Sequence, residues 1–433
     1  MTCLLLVGWR CHLFKRTLTR EQTPVRFSFA ALRSRPFTLL WLGGIVSYIG
    51  TQIQLIGTAW LVIQSTHSVL LLGVLSLCSA LPMIILPPFS GMLAEQVNPI
   101  IVLKWARGVQ ITLPLFIAFL LVSGHLQLWM LCVHASLVGV ATAFSLPTNQ
   151  TLLPSLVPRE DVQSATALQA TMFASASLVG PALGGLLLQP VGVAGLFLAD
   201  ALSTLAVFLP LFGLHGISAL EKEKMQPLIS QMIDGLRSIL QHRPLPTLLL
   251  MAICLSLLQG GSQVLLPMFA QAQFHVGADG YGWLRTASGA GAVLSGLMLG
   301  AVGNIRRKAS FIVGATLLQA SALLFFAHVS FYGLALLLIC LAGFLGTVAS
   351  ALVQTQLYLF APESIRSRTM ALYVVALVGF NAIGGMIGGS LAEASSCSQA
   401  MTWIVGVLGA GMLLFKLSLS QGETMGRARS SER

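Results

Sequence analysis

Few residues of this 433-residue chain could do chemistry inside its long apolar stretches. Asp200, in GLFLADALSTL, is the acid that falls well inside one of them. A carboxyl group held away from water favours its neutral form and could carry a proton; it could equally serve as a structural acceptor for a neighbouring helix. Arg285, in GYGWLRTASGAG, is the matching cation. It could meet an anionic compound or extend towards lipid headgroups. Thr51, Gln54 and Thr58 recur at i, i+3 and i+7, and Gln259, Ser262 and Gln263 at i, i+3 and i+4. Each set falls on one helical face, where amides and hydroxyls either line a wet cavity or bond between helices. His134 has no second ligand or base nearby in sequence and reads as a satisfied interior histidine. No H-E-x-x-H, no Ser–His arrangement and no Walker A loop occurs, so the polar set suits recognition rather than catalysis or ATP-driven work. The seven cysteines stand singly, without a C-x-x-C pair. Neither a disulfide frame nor a metal site is indicated, and no cofactor is expected.

The elements that must position these residues follow from composition. Only 9% of residues are charged, 56% are apolar and the mean hydropathy is +0.86. A soluble chain of this length could not hide that much apolar surface, so a lipid-facing protein is expected. Apolar segments of about 20 to 28 residues, the length of a bilayer-spanning helix, fall near 36–63, 68–94, 99–122, 126–147, 163–188 and 192–214. Six more fall near 245–272, 279–302, 308–329, 331–359, 367–392 and 398–420. The sequence thus predicts an all-α integral membrane protein with twelve transmembrane helices.

Lys and Arg set the orientation. With both termini cytoplasmic, 23 of the 24 cations lie in tails, cytoplasmic loops or their flanks, Lys104 and Arg107 among them, and Arg285 alone lies elsewhere. The net charge of +11 is then explained by topology and anionic inner-leaflet lipid, and no nucleic-acid partner is expected. The plan is a basic tail (1–35), a six-helix bundle (36–215), a linker (216–244), a second bundle (245–420) and a short tail (421–433). The opening MTCLLLVGW is too short to span and has its charges after it, unlike a secretory signal. Within the linker, Met232, Ile233, Leu236, Ile239 and Leu240 recur at helical spacing opposite Asp234, Arg237 and Gln241, which reads as an amphipathic surface helix.

The halves are copies. At an offset of 204 residues, Gln150 falls on Gln354, Thr151 on Thr355, Leu153 on Leu357, Pro158 on Pro362, Gly180 on Gly384, and Gly184–Gly185 on Gly388–Gly389. Each copy reads as an apolar helix end, a short charged loop with proline, then a glycine-rich apolar helix. Duplication with the same direction of hydropathy gives parallel repeats.

These stretches, with FTLLWLGGIVSYIGTQ, GMLAEQ, LLPSLVPREDVQSATALQ, LVGPALGGLLL and PESIRSRTMALY, resemble the transmembrane secretion effector branch of the major facilitator superfamily. The resemblance covers nearly the whole chain. It implies a secondary transporter of a small hydrophobic or amphipathic compound, working by alternating access in the cell membrane, with proton coupling as one mode and a monomer as the unit. A siderophore or lysophospholipid carrier, or a non-transporting sensor, shares that fold. The fold would set helices 1, 4, 7 and 10 around a central cavity, making Thr51, Gln54, Thr58, Gln259, Ser262, Gln263 and Arg285 its lining. Gly91, Glu95, Arg159, Glu160, Arg306, Arg307, Glu363, Arg366 and Arg368 would then form an inner gate, or else a solvated loop set that fixes topology. The chain departs from the family pattern at Thr51 and Ser177, where an Asp and an Arg are usual, and at the loop after Glu95, which lacks the usual run of cations.

Overall fold

The computed structural model describes residues 30–86, 98–214, 239, 242, 244–302 and 308–409, and among them there is no strand. Lipid offers the backbone no hydrogen-bond partner, and a helix satisfies its own groups within one segment. Local chemistry sets the starts. Helix α1 (Arg35–Thr66) carries Pro36 in its first turn, where a missing N–H is harmless, and ends at His67, left-handed with φ 53°. The Ser68 hydroxyl caps α2 (Val69–Ile85) by accepting the Leu71 N–H. Asn98 caps α3 (Pro99–Val122) through the Ile100 N–H at 2.9 Å. Helix α4 (Leu128–Ser155) follows. Then comes α5 (Val162–Phe208), interrupted at Gly192, whose φ of 67° and ψ of 176° belong to no helix. The expected loop between the fifth and sixth spans is therefore a reversal built on one residue, a backbone state that glycine adopts without penalty.

The second half holds α6 (Leu245–Met268), which closes in a π turn over Phe269–Gln273, and α7 (Gly277–Val302). Helices α8 (Lys308–His328), α9 (Tyr332–Phe360), α10 (Arg366–Ala394) and α11 (Cys397–Gly409) complete it. Counting the arms of α5 separately, the described residues form twelve helical segments. Eight helices, α5 among them, are long and apolar enough to cross a membrane. Large apolar side chains such as Phe119, Phe325 and Trp403 stand exposed on the outside of the bundle, as lipid requires. Of the expected linker helix, Ile239 is described and is fully buried in a cluster with Leu245 and Leu248; the rest of that helix lies outside the described residues.

Helix α1 runs between the two arms of α5. Met172, Gln52 against Gly180, and Ile56 against Gly184 mark one side, advancing together along both chains. Ala206 against Gly43, Ser203 against Gly50 and Leu196 against Gly57 mark the other, running in opposite directions. Close contact of this kind is how helices associate where lipid leaves no hydrophobic drive between them.

The duplicated glycines occupy equivalent places. Gly180 abuts α1 at Ile49 and Gln52, and its counterpart Gly384 abuts α6 at Leu257. One turn on, the pattern crosses between halves. Gly185 lies against Ala278, Asp279 and Gly282 of α7, while Gly389 lies against Val69 and Leu70 of α2. Two polar contacts sit beside them: Gln189 Nε2 donates to Asp279 Oδ2 at 3.0 Å, and the Ser68 hydroxyl donates to Glu393. Gln189 and Glu393 are again 204 residues apart. These contacts close the interface at the far end of the bundle, opposite the end where α1 begins at Arg35.

Candidate functional site

Between the halves, at mid-bundle, lies a cavity of about 590 Å³. The first half supplies α1, α2 and α4, and the second supplies α6, α7 and α10. Thr51, Gln54 and Thr58 of α1 line it, as do Gln259 and Gln263 of α6 and Arg285 of α7, while most of the remaining wall is apolar. Ser262 instead faces a smaller adjoining chamber of about 160 Å³, lined also by Gln259, Gln263, Arg285, Ser288, Gln319 and Thr347. Helix α9, the tenth expected span, lines that chamber rather than the central cavity, and α2, α7 and α10 contribute where the resemblance implied helices 1, 4, 7 and 10. The glycines explain the exchange. Gly343 packs its backbone on Ser288 of α7, and Gly291 packs on Cys340, so α7 lies between α9 and the cavity.

The polar strip on α1 is held from two sides. The Thr51 hydroxyl lies 3.1 Å from both the Ser47 carbonyl and Asp200 Oδ1, so it can donate to either. Gln54 and His134 are both 8% exposed, and their Nε2 atoms stand 3.3 Å apart. The His134 ring meets Phe197 edge-on at 5.7 Å, so this histidine is satisfied by an amide and an aromatic edge. Thr58 donates to its own helix at Gln54. Opposite, Arg285 Nη1 donates to Gln263 Oε1 at 2.7 Å, tying α7 to α6 across the mouth of the side chamber. Arg285 thus turns into the protein, not out towards headgroups.

Asp200 is 4% exposed and is not the lone charge that its sequence context suggests. Arg107, read with the loop cations, lies within α3 and is 7% exposed. It donates to Gln110 at 2.9 Å, is within hydrogen-bonding reach of Tyr48, and its charge acts on Asp200. Ser47 and Thr204 pair at 3.2 Å beside the carboxylate. The expected span 99–122 already puts Arg107 two turns inside a helix; counting it as a cytoplasmic flank leaves out that its side chain turns inward.

Gly91, Glu95, Arg306 and Arg307 lie outside the described residues, as does the side chain of Arg159. Glu160 and Glu363 are exposed, and Arg368 is half-buried. Arg366 lies over the Tyr358 ring at 4.8 Å, within its own half. Among the described side chains, Glu363 and Arg366 form no ion pair with one another.

The transmembrane secretion effector family profile matches residues 26–432. The chain belongs to that family. It is a multi-pass membrane transporter of the major facilitator type, a family whose members handle small molecules. The enterobactin exporter of Shigella boydii serotype 18 is 29% identical over 262 residues, covering 60% of this chain and 62% of the exporter. The chain is therefore matched to somewhat under two thirds of that relative's length. A peptide-bound transporter of the POT family superposes with a TM-score of 0.71 at 10% identity, covering 89% of this chain and 96% of that one. A bacterial homologue of the human lysosomal transporter Spinster, described as inward-facing and unoccupied, gives a TM-score of 0.69 at 14% identity, covering 90% and 96%. At such identities the likeness is one of fold.

Proposed function

We propose that this transporter exports a small, largely apolar compound by alternating access, from a cell membrane in which both termini face the cytoplasm. The observation that carries the reading is the mid-bundle cavity between two repeats whose far ends are shut by symmetric contacts. Its volume of about 590 Å³ suits a small-molecule site. An apolar wall with polar strips on α1 and α6 suits an amphipathic cargo. Rocking one half would part Ser68 from Glu393 and Gln189 from Asp279 and expose the cavity at that end. The distribution of Lys and Arg supports a cytoplasmic near end. Export, rather than uptake, is supported by the names of the curated relatives. Those names also favour a second reading, in which the cargo is enterobactin-like. Asp200 is the coupling candidate, because Thr51 connects its carboxylate to the cavity wall. Glu95, Arg306, Arg307, Arg366 and Arg368 are the candidates for a cytoplasmic gate. One chain contains both repeats and the whole cavity, which supports a monomeric unit.

Untargeted mass spectrometry of spent medium tests the reading. Cells with the chain and cells with Thr58→Trp, which fills the cavity, should differ in at least one released compound of a few hundred daltons. Identical release at equal membrane levels would remove the export assignment.

A further inference from the structure

Arg285 is the sole formally charged residue among those lining the central cavity and the side chamber, and neither lining contains a carboxylate. A guanidinium cannot shed its proton in this setting, and leaving a charge without a counter-charge away from bulk water is costly. Its partner, the Gln263 amide oxygen, engages one nitrogen and is neutral. The remaining N–H groups stand where the two cavities meet. Gln319, 5% exposed and on the chamber wall, has a buried Oε1 with no hydrogen-bond partner in the protein. A chamber of about 160 Å³ whose wall includes Ser262, Ser288 and Thr347 is suited to water, about 30 Å³ per molecule.

We propose that Arg285 makes the junction an anion-binding site, and that the cargo is an amphipathic monoanion. Its apolar body occupies the central cavity, its acid group pairs with Arg285, and water in the side chamber solvates the remaining acid oxygens. This rests on the reading of the central cavity as the cargo site. Arg285 offers several N–H donors in a fixed fork, which matches a carboxylate, sulfonate or phosphate oxygen pair. The same chemistry would accept the headgroup of an anionic lipid entering between the halves.

Calorimetric titration of the purified full-length protein tests it, with naphthalene-2-sulfonate and its neutral isostere naphthalene-2-sulfonamide as probes and protein-free micelles as the blank. The sulfonate should bind at least about tenfold more tightly, and Arg285→Gln should bring the ratio to about one by weakening the sulfonate far more than the sulfonamide. Arg285→Lys should keep most of the preference. Ala135→Trp, in the cavity wall, should weaken both probes together. Equal affinities in the wild type, or a preference that survives Arg285→Gln, overturns the anion site while the cavity reading stands. Binding that ignores Ala135→Trp, or no saturable binding of either probe, overturns both. Displacement of the sulfonate by short-chain phosphatidylglycerol, but not by the matching phosphatidylcholine, would identify the occupant as an anionic lipid. Displacement by neither leaves a soluble anion.

Discussion

A single methyl group at Gly389 should open the far end of the transporter. A β-carbon there would stand 2.7 Å from both the Leu70 Cα and the Val69 carbonyl oxygen, and these are backbone atoms that cannot swing aside. Restoring ordinary contact at 3.4 Å requires α2 and α10 to part by about 0.7 Å. Overpacking of this kind costs about 1–3 kcal/mol, and it bears only on the state in which the two helices touch. In the opened state they separate and the methyl has room. The gain in helix propensity from Gly to Ala is shared by both states and cancels. The ratio of far-end-open to far-end-closed molecules should therefore rise about 5- to 150-fold.

The assay uses a background without native cysteines and a reporter, Thr58→Cys, in the cavity wall. Labelling by a membrane-impermeant maleimide applied to the far side should accelerate in Gly389→Ala by about the same factor, if opening is fast relative to reaction. Gly185→Ala makes a graded comparison. Its β-carbon would meet Ala278 and Gly282 at 3.1 Å, so the shift needed is smaller and the acceleration should be less. Gly108→Ala, with nothing within 4 Å, is the control and should not change the rate. Equal labelling in Gly389→Ala and Gly108→Ala would refute the claim that this contact holds the far end shut.

Four further outcomes are expected. Topology reporters fused at Gly277 and at Met225 should read outside and inside respectively, from the 23-to-1 charge division; the same side for both would sink the orientation. Arg107→Leu and Asp200→Asn should be non-additive in thermal unfolding by about 0.5–3 kcal/mol, since the two buried charges act on one another without an ion-pair contact; additive losses would mean the charges do not depend on each other. In the same pair of experiments, Asp200→Asn alone should fold and bind cargo but lose dependence on a pH gradient, and full gradient-driven transport would exclude it from coupling. Arg366→Ala should shift the protein towards a cytoplasm-open form, raising labelling of a cysteine at Ser155 from the inside. Unchanged labelling there would leave Arg366 with its stacking on Tyr358 and a role in topology only.

Much of this was legible in the sequence because membrane helices announce themselves through hydropathy and the repeat through identical residues at a fixed offset. Gly180 and Gly384, or Gly185 and Gly389, could be paired by counting alone, and they occupy matching contacts. Helical spacing also placed Thr51, Gln54 and Thr58 on one face, and Gln259 with Gln263 on another, and both faces line the central cavity. What spacing could not give is which neighbour each face meets. Ser262 shares its face with Gln259 and Gln263, but those two line both cavities whereas Ser262 lines the side chamber alone. The expected span 99–122 has the observed bounds, so Arg107 already lies in a helix; counting it with the cytoplasmic flanks leaves out that its side chain turns inward, which charge and hydropathy do not report. The break between the fifth and sixth spans was legible at 189–191; what hydropathy could not give is that one positive φ, at Gly192, does the work of a loop.

The two copies differ most where they carry charge. At the offset of 204, Asp200 of the first half falls on Ile404 of the second. In the second and third helices of each half the matching contacts (Gly73 on Gly385 and Gly282 on Pro181, Gln110 on Thr142 and Gln319 on Gly346) set the offset at 209, so Arg285 falls on Ser76 and Arg107 on Thr316. The uncharged counterparts show that the shared frame does not need a charge at these places, and a charge inside a membrane is costly to keep. The first half keeps its charges together, buried, and joined to the cavity wall through Thr51. The second half keeps one cation, without a neighbouring acid, at the cavity itself. If Asp200 couples protons and Arg285 holds cargo, as proposed, this division places the two groups on the two halves that alternating access would move against each other. Protonation of Asp200 would then alter how α1 sits between the arms of α5, and α1 is the wall that faces Arg285 across the cavity.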